Sequence, residues 1–338
     1  MSERKPAVVI ASDPEVLAAA EAALVRGNAV DAVAVGVLAA AGLHASVLLG
    51  PVQMLIGGAG AGLRAIDGRT RQPGLDNPRP RGFRPEDPIP AAARVGAPCL
   101  PAALLAAVTT YGKLSIAAAL GPAVDLARSR SKSRAAVLDR VGQLGPAALA
   151  EAQLSDELVR LAGRLAGGLL SHRDLSDVRP AVTPATSVPL GGHQILTVPW
   201  GASAVRAPSD NFASGSTTRV VVAADRNGLV AVACYCVTAE GLTLEELDLV
   251  APFTATPVAR GAVRVKPGLP RDAAAPIALG QDAGVLEVVA GIGASNDAEA
   301  ALGAWLSTYK PASELTRTEP LPPGLVGAQR TGSGWTAL

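Results

Sequence analysis

Two adjacent threonines, Thr217 and Thr218, open a stretch whose residue types could do covalent chemistry. Gly215 and Ser216 precede them and Arg219 follows, then Val220 to Ala224, the turn Asp225-Arg226-Asn227-Gly228, and Leu229 to Ala233. Two apolar runs joined by Asn-Gly read as a β-hairpin, so the threonines sit at the mouth of its first strand. A threonine hydroxyl there can attack the carbonyl of the preceding residue when that peptide is held strained. Hydrolysis of the resulting ester between Ser216 and Thr217 would free a new chain start. The freed α-amine, whose ordinary pKa is near ~8, lies beside the hydroxyl and can act as its general base. Gly215 suits a bent scissile loop, because glycine tolerates conformations that other residues do not. Threonine pairs also begin strands for no reason beyond β propensity, so the pair alone does not decide the chemistry.

The elements that must hold this stretch can be read along the chain. Val8-Val9-Ile10 reads as a short buried strand, followed by a helix capped by Ser12 or Asp13 and stopped at Gly27. A second helix starts over Asn28 to Asp31 and is apolar on nearly every face, which places it between layers. Asp31 is its helix-start carboxylate, complementing the macrodipole. His44 reads as a structural histidine. Residues 74 to 95, rich in Pro and Arg, read as a surface loop, Ser129 to Lys132 as a solvated helix end, and the Pro- and Gly-rich tail from Pro311 as surface wrapping. Ser171 and Asp174 have capping-pair spacing. Cys234 and Cys236 on a strand point to one face and read as small core residues. Alternating strand and helix signals give a layered α/β architecture.

With 338 residues the chain is long enough for a large core, and its net charge of +1 suggests neither a nucleic-acid nor a membrane-surface partner. The three cysteines lack metal-site or disulfide spacing, which favours a reducing compartment. The polar start, Met1 to Pro6, does not read as a secretory signal, and the Ala29 to Leu43 stretch is too short for a membrane span, so a cytoplasmic location is expected. No metal or cofactor motif is present.

Thr217-Thr218-Arg219 with the hairpin behind it resembles the Thr-Thr-His start of the small subunit in the gamma-glutamyltranspeptidase family of N-terminal-nucleophile hydrolases. Further matches follow in the family's order: Gly27 to Ala32, Ala65 to Pro73, Leu120 to Ala127, Gly167 to Leu175 and Ala290 to Asn296. The resemblance implies a four-layer αββα sandwich over residues 1–338, cut before Thr217 into fragments 1–216 and 217–338 that stay associated. It implies Thr217 as the nucleophile. The backbone N–H groups of Gly293 and Ala294 would form the oxyanion hole, and alanine keeps the donor. Arg69 would grip the substrate carboxylate, a task suited to a planar fork of donors. Thr218 and Arg219, next in the motif, fall within the substrate-binding group.

The departures from the family pattern bear on function. Arg219 replaces the histidine, and Thr70 a glutamate. Tyr235 stands where the family has the threonine that supports the nucleophile, a place from which a phenol can still donate to Thr217. Val237 replaces a substrate-binding asparagine. The acidic residue that binds the substrate amine should lie among Glu245, Glu246 and Asp248, of which Asp248 is the site candidate. Asp272 and Ala273 stand at a pair of serines that hold the glutamyl carboxylate in relatives. The segment between Ser203 and Thr217 is much shorter than in typical relatives. The expectation is therefore an amidohydrolase acting on a small carboxylate-bearing amide through a Thr217 acyl-enzyme, without cofactor, as a monomer or homo-oligomer. The alternatives are gamma-glutamyl transfer or hydrolysis with altered contacts, and an uncleaved pseudoenzyme or binding protein of the same fold.

Overall fold

In the computed structural model, described over residues 7–58, 60–78, 80–190, 193–200, 217–271, 277–282, 285–292, 325–331 and 334–337, two sheets of six strands stack face to face. The first sheet has the order β1 (Val8–Ala11), β7 (Thr217–Ala224), β8 (Leu229–Val237), β2 (Val52–Gly58), β3 (Arg64–Gly68), β4 (Ala181–Pro184). The second has the order β14 (Gly334–Ala337), β13 (Leu325–Thr331), β12 (Val285–Ile292), β11 (Ile277–Asp282), β6 (His193–Thr197), β5 (Thr186–Leu190). All the pairings in both are antiparallel. Strands β9 (Gly241–Leu244) and β10 (Leu249–Pro252) make a separate two-stranded ribbon.

Helices cover the outer face of the first sheet. Helix α2 (Ala29–Leu43) lies against β7 and β8, with α1 (Pro14–Arg26) and α4 (Ile116–Arg128) beside it and α3 (Leu100–Tyr111) over β3. Every residue of α2 from Ala29 to Gly42 is buried, as a helix apolar on all faces requires. Asn28 caps it reciprocally: its side-chain oxygen accepts from the Val30 and Asp31 N–H groups, and the Asp31 carboxylate accepts from the Asn28 N–H. Asp31 also accepts from the N–H groups of Lys113 and Leu114, tying the end of α3 to the start of α2.

Period two divides the strands between two cores. Val221, Ala223, Ala231, Ala233 and Tyr235 pack with the helices, while Val220, Val222, Ala224, Val230, Val232, Cys234 and Cys236 pack between the sheets. The two cysteines thus share a core-facing side, as expected. The β7–β8 turn closes as the Asn-Gly signal predicts, with Gly228 at φ 85° and the Asp225 carboxylate accepting from Asn227 and Leu229.

Two expectations are corrected. Val8–Ala11 is a half-buried edge strand rather than a buried one. The tail is not all surface wrapping: Leu325–Thr331 and Gly334–Ala337 are strands, and Trp335 is buried between the sheets. No helix among the described residues is long and apolar enough to cross a membrane.

Candidate active site

Strand register sets the geometry of the site. Val52 on β2 pairs with both Tyr235 and Gly68, and Tyr235 pairs with Arg219, so these four residues form one row across the first sheet. Thr218 and Arg69 each stand one residue beyond that row, at the same end of the sheet. Three inter-strand spacings separate their strands, about 14 Å. An extended arginine side chain and a small ligand can together span that gap.

Arg69 is a built feature. It is only 4% exposed, and its Nε and Nη2 donate to the two carboxylate oxygens of Asp67 at 2.9 and 3.1 Å. Asp67 also takes Arg71 Nη1 at 2.9 Å and the Arg69 backbone N–H at 3.0 Å. Burial alone would raise the Asp67 carboxyl, but the Arg69 hydrogen bond and the charges of Arg71 and Arg69 hold it below the usual range. Among the described residues, one carboxylate thus stands between two guanidinium groups in this cluster.

The far side of Arg69 lies over the Trp200 ring, with Cζ 5.0 Å from the ring centre. The indole N–H of Trp200 in turn donates to Gln53 Oε1 at 2.6 Å. Arg69 Nη1 has no hydrogen-bond partner among the described residues. Nothing in the sequence near Arg69 announces Trp200 or Gln53. Asp67 was legible in principle, because residues two apart along a strand share a face.

The other candidates lie elsewhere. Thr217 is exposed at the first position of β7, directly across from Val237, and Thr218 is half-buried across from Cys236. Arg219 points to the helix side, where its Nη1 donates to Asp13 Oδ1 at 2.8 Å. His44 Nε2 lies 3.5 Å from the other oxygen of Asp13. Arg219 is thus engaged in joining β7 to the start of α1, not turned toward Arg69.

Tyr235 is fully buried on that same helix side, and its hydroxyl has no hydrogen-bond partner among the described residues. The expected donation to Thr217 is not made, because register sets Tyr235 opposite Arg219 instead. Burial and the nearby Asp13 charge push its phenol well above the ordinary value, so it stays protonated. Asp248 is likewise committed elsewhere. It forms an ion pair with Arg134 of α5 (Lys132–Leu144), while Arg134 also donates to the Asp248 and Gly42 carbonyls. Its carboxylate closes the ribbon onto the helices rather than facing Arg69. Glu245 and Glu246 are exposed. Ser216, Asp272, Ala273, Gly293 and Ala294 lie outside the described residues, so the cleavage point and the oxyanion donors rest on the sequence motif alone.

No protein-family model matches the sequence, and a comparison with curated proteins finds no match. Solved structures do match in fold. LmbA2991HD superposes with a TM-score of 0.70 at 13% identity, covering 94% of this chain and 84% of that one. Cephalosporin acylase from Bacillus halodurans does so with a TM-score of 0.66 at 14% identity, covering 86% and 77%. The chain has the N-terminal-nucleophile hydrolase fold. Gamma-glutamyltranspeptidase from Helicobacter pylori overlaps 56% of the chain and 68% of its own at 19% identity and a TM-score of 0.48.

Proposed function

We propose that the protein is a self-cleaving threonine amidohydrolase that acts on a small amide bearing a carboxylate. The threonine pair at the mouth of β7 supplies the nucleophile, and the motif match nominates Thr217 within it. After self-cleavage the α-amine of that threonine takes the hydroxyl proton as the oxygen attacks the amide carbonyl. The amine then donates a proton to the leaving nitrogen, and water resolves the ester. The backbone N–H groups of Gly293 and Ala294 are the proposed oxyanion donors. A cytoplasmic location goes with this reading.

One observation carries it. Arg69 is held by Asp67 and Trp200, with no partner for its Nη1 among the described residues, at the same end of the sheet as the threonine pair. A buried, pre-oriented cation at that distance suits a substrate whose carboxylate lies a few bonds from its scissile amide. That an acylase shares the fold accords with amide hydrolysis.

The test is a panel of small amides with and without a carboxylate, and with and without a gamma-glutamyl group, assayed on purified protein whose chain has been checked for cleavage. Hydrolysis confined to the carboxylate-bearing amides, and lost on Arg69→Ala, supports the reading. Turnover only of gamma-glutamyl compounds would favour the transferase alternative. An intact chain inert toward the whole panel would leave a pseudoenzyme.

A further inference from the structure

Resting on that reading, we infer that the nucleophile is Thr218 rather than Thr217, and that the chain is cut between Thr217 and Thr218. The two threonines lie on opposite faces of β7. On β7, Val220, Val222 and Ala224 lie in the core between the sheets, while Val221 and Ala223 lie in the core beneath the helices. Continuing this alternation toward the start of the strand puts Thr218 on the inter-sheet face and Thr217 on the helix face.

The partner strand agrees. Thr218 pairs with Cys236, a member of the inter-sheet core, whereas Thr217 pairs with Val237, which packs against the helix-side core. Residue Arg219, two along from Thr217, is tied to Asp13 on that helix side. The next position outward on the same face therefore points away from the space between the sheets.

The proposed substrate anchor is on the inter-sheet side. Ala65 of β3 and Leu55 of β2 belong to the inter-sheet core, and Asp67 and Gln53 follow them at the two-residue period. Trp200 packs against the same core, bonds Gln53, and carries Arg69 on its ring. Of the two threonines, only Thr218 shares a face with Arg69. A nucleophile on Thr217 would have the sheet itself between its hydroxyl and the guanidinium.

The self-cleavage step then involves the peptide joining the two threonines. Thr218 Oγ1 attacks the carbonyl carbon of Thr217, and the C–N bond breaks as an ester forms. The nitrogen, taking the hydroxyl proton, becomes the α-amine of Thr218. Water hydrolyses the ester, giving a carboxylate on Thr217 and restoring the Thr218 hydroxyl.

Intact mass and N-terminal sequencing of the purified full chain decide the matter, alongside Thr217→Ala, Thr218→Ala and Thr218→Ser. The expected wild-type small fragment begins at Thr218, one threonine residue lighter than a fragment starting at Thr217. Thr217→Ala should give a small fragment of unchanged mass, Thr218→Ala should lose cleavage, and Thr218→Ser should restore it. The serine variant separates loss of chemistry from loss of fold. A small fragment beginning at Thr217, absent in Thr217→Ala, would overturn the inference while upholding the proposed function. A wild-type chain that stays whole on prolonged incubation would overturn both.

Discussion

Arg69 is held from two sides by unlike partners, the carboxylate of Asp67 along its edge and the indole of Trp200 across its face. The carboxylate fixes the direction of the fork, and the ring fixes its plane. Trp200 is thus a positioning residue. Loss of a cation–π contact of about 0.5–2 kcal/mol corresponds to roughly two- to thirty-fold in affinity. Trp200→Ala should raise KM for carboxylate-bearing amides by that factor with a much smaller change in kcat, and Trp200→Phe should recover most of it. Steady-state kinetics on one good substrate checks this. Equal kinetics for all three proteins would show that the ring does not position the anchor.

Asp67 supports both arginines, so its removal should be a stability event. Asp67→Asn would leave Arg69 and Arg71 buried without their counter-charge, a loss of about 3–5 kcal/mol for a broken buried pair. Urea unfolding measures it directly. A midpoint unchanged from wild type would mean that water or other groups compensate.

The same carboxylate gives a pH dependence with a definite sign. Its folded pKa lies below the ordinary value, so the folded state binds its proton less readily than the unfolded chain does. Its stabilising contribution is complete above the unfolded carboxylate pKa of about 3.9 and is lost as pH falls through the lower folded value. Unfolding midpoints collected on the acid side should fall more steeply for wild type than for Asp67→Asn. Parallel curves would assign the acid sensitivity to other groups.

Tyr235 makes the opposite case. A hydroxyl buried without a partner costs stability, so Tyr235→Phe should be neutral or raise the unfolding free energy by about 1 kcal/mol. Because the phenol hydrogen-bonds neither threonine, the fragment pattern of this variant should match wild type. Loss of self-cleavage in a well-folded Tyr235→Phe protein would restore Tyr235 to the active site.

Asp31 accepts from the N–H groups of Asn28, Lys113 and Leu114, and an amide in its place can accept at only one of its two terminal atoms. Asp31→Asn should therefore cost about 2–4 kcal/mol, as charge-assisted bonds from buried N–H groups are lost. Thermal unfolding reads this out, with catalysis at moderate temperature little changed.

Local signals were legible where they act over a few residues. The Asn28–Asp31 box, the Ser171–Asp174 pair and the β7–β8 turn all follow from short-range hydrogen bonding that any environment would reward. Arg69 was singled out from its motif, and its contacts with Asp67 and Trp200 come from the fold. What the sequence could not show was orientation. Val220 to Ala224 is apolar at every position because both of its faces are buried, so it carries no alternation from which the faces of Thr217 and Thr218 could be told. Tyr235 was assigned by counting along the motif and Asp248 chosen from three acidic residues of a loop, whereas strand register and the Arg134 pair decide where their side chains go. Trp200 reaches Arg69 only through tertiary folding, and the strands after residue 324 were hidden by neighbouring Pro and Gly.

The order β1-β7-β8-β2 sets the hairpin that follows the threonine pair between two strands from the upstream part of the chain. In the second sheet β11 is likewise zipped to β6 from upstream. A cut beside Thr217 would therefore sever the backbone without exposing a new sheet edge. What changes is the molecularity of unfolding. The whole chain melts at a temperature independent of concentration, while the nicked one must separate into two bodies and so loses its melting point on dilution, a cost the protein would meet only after it had already folded as one piece.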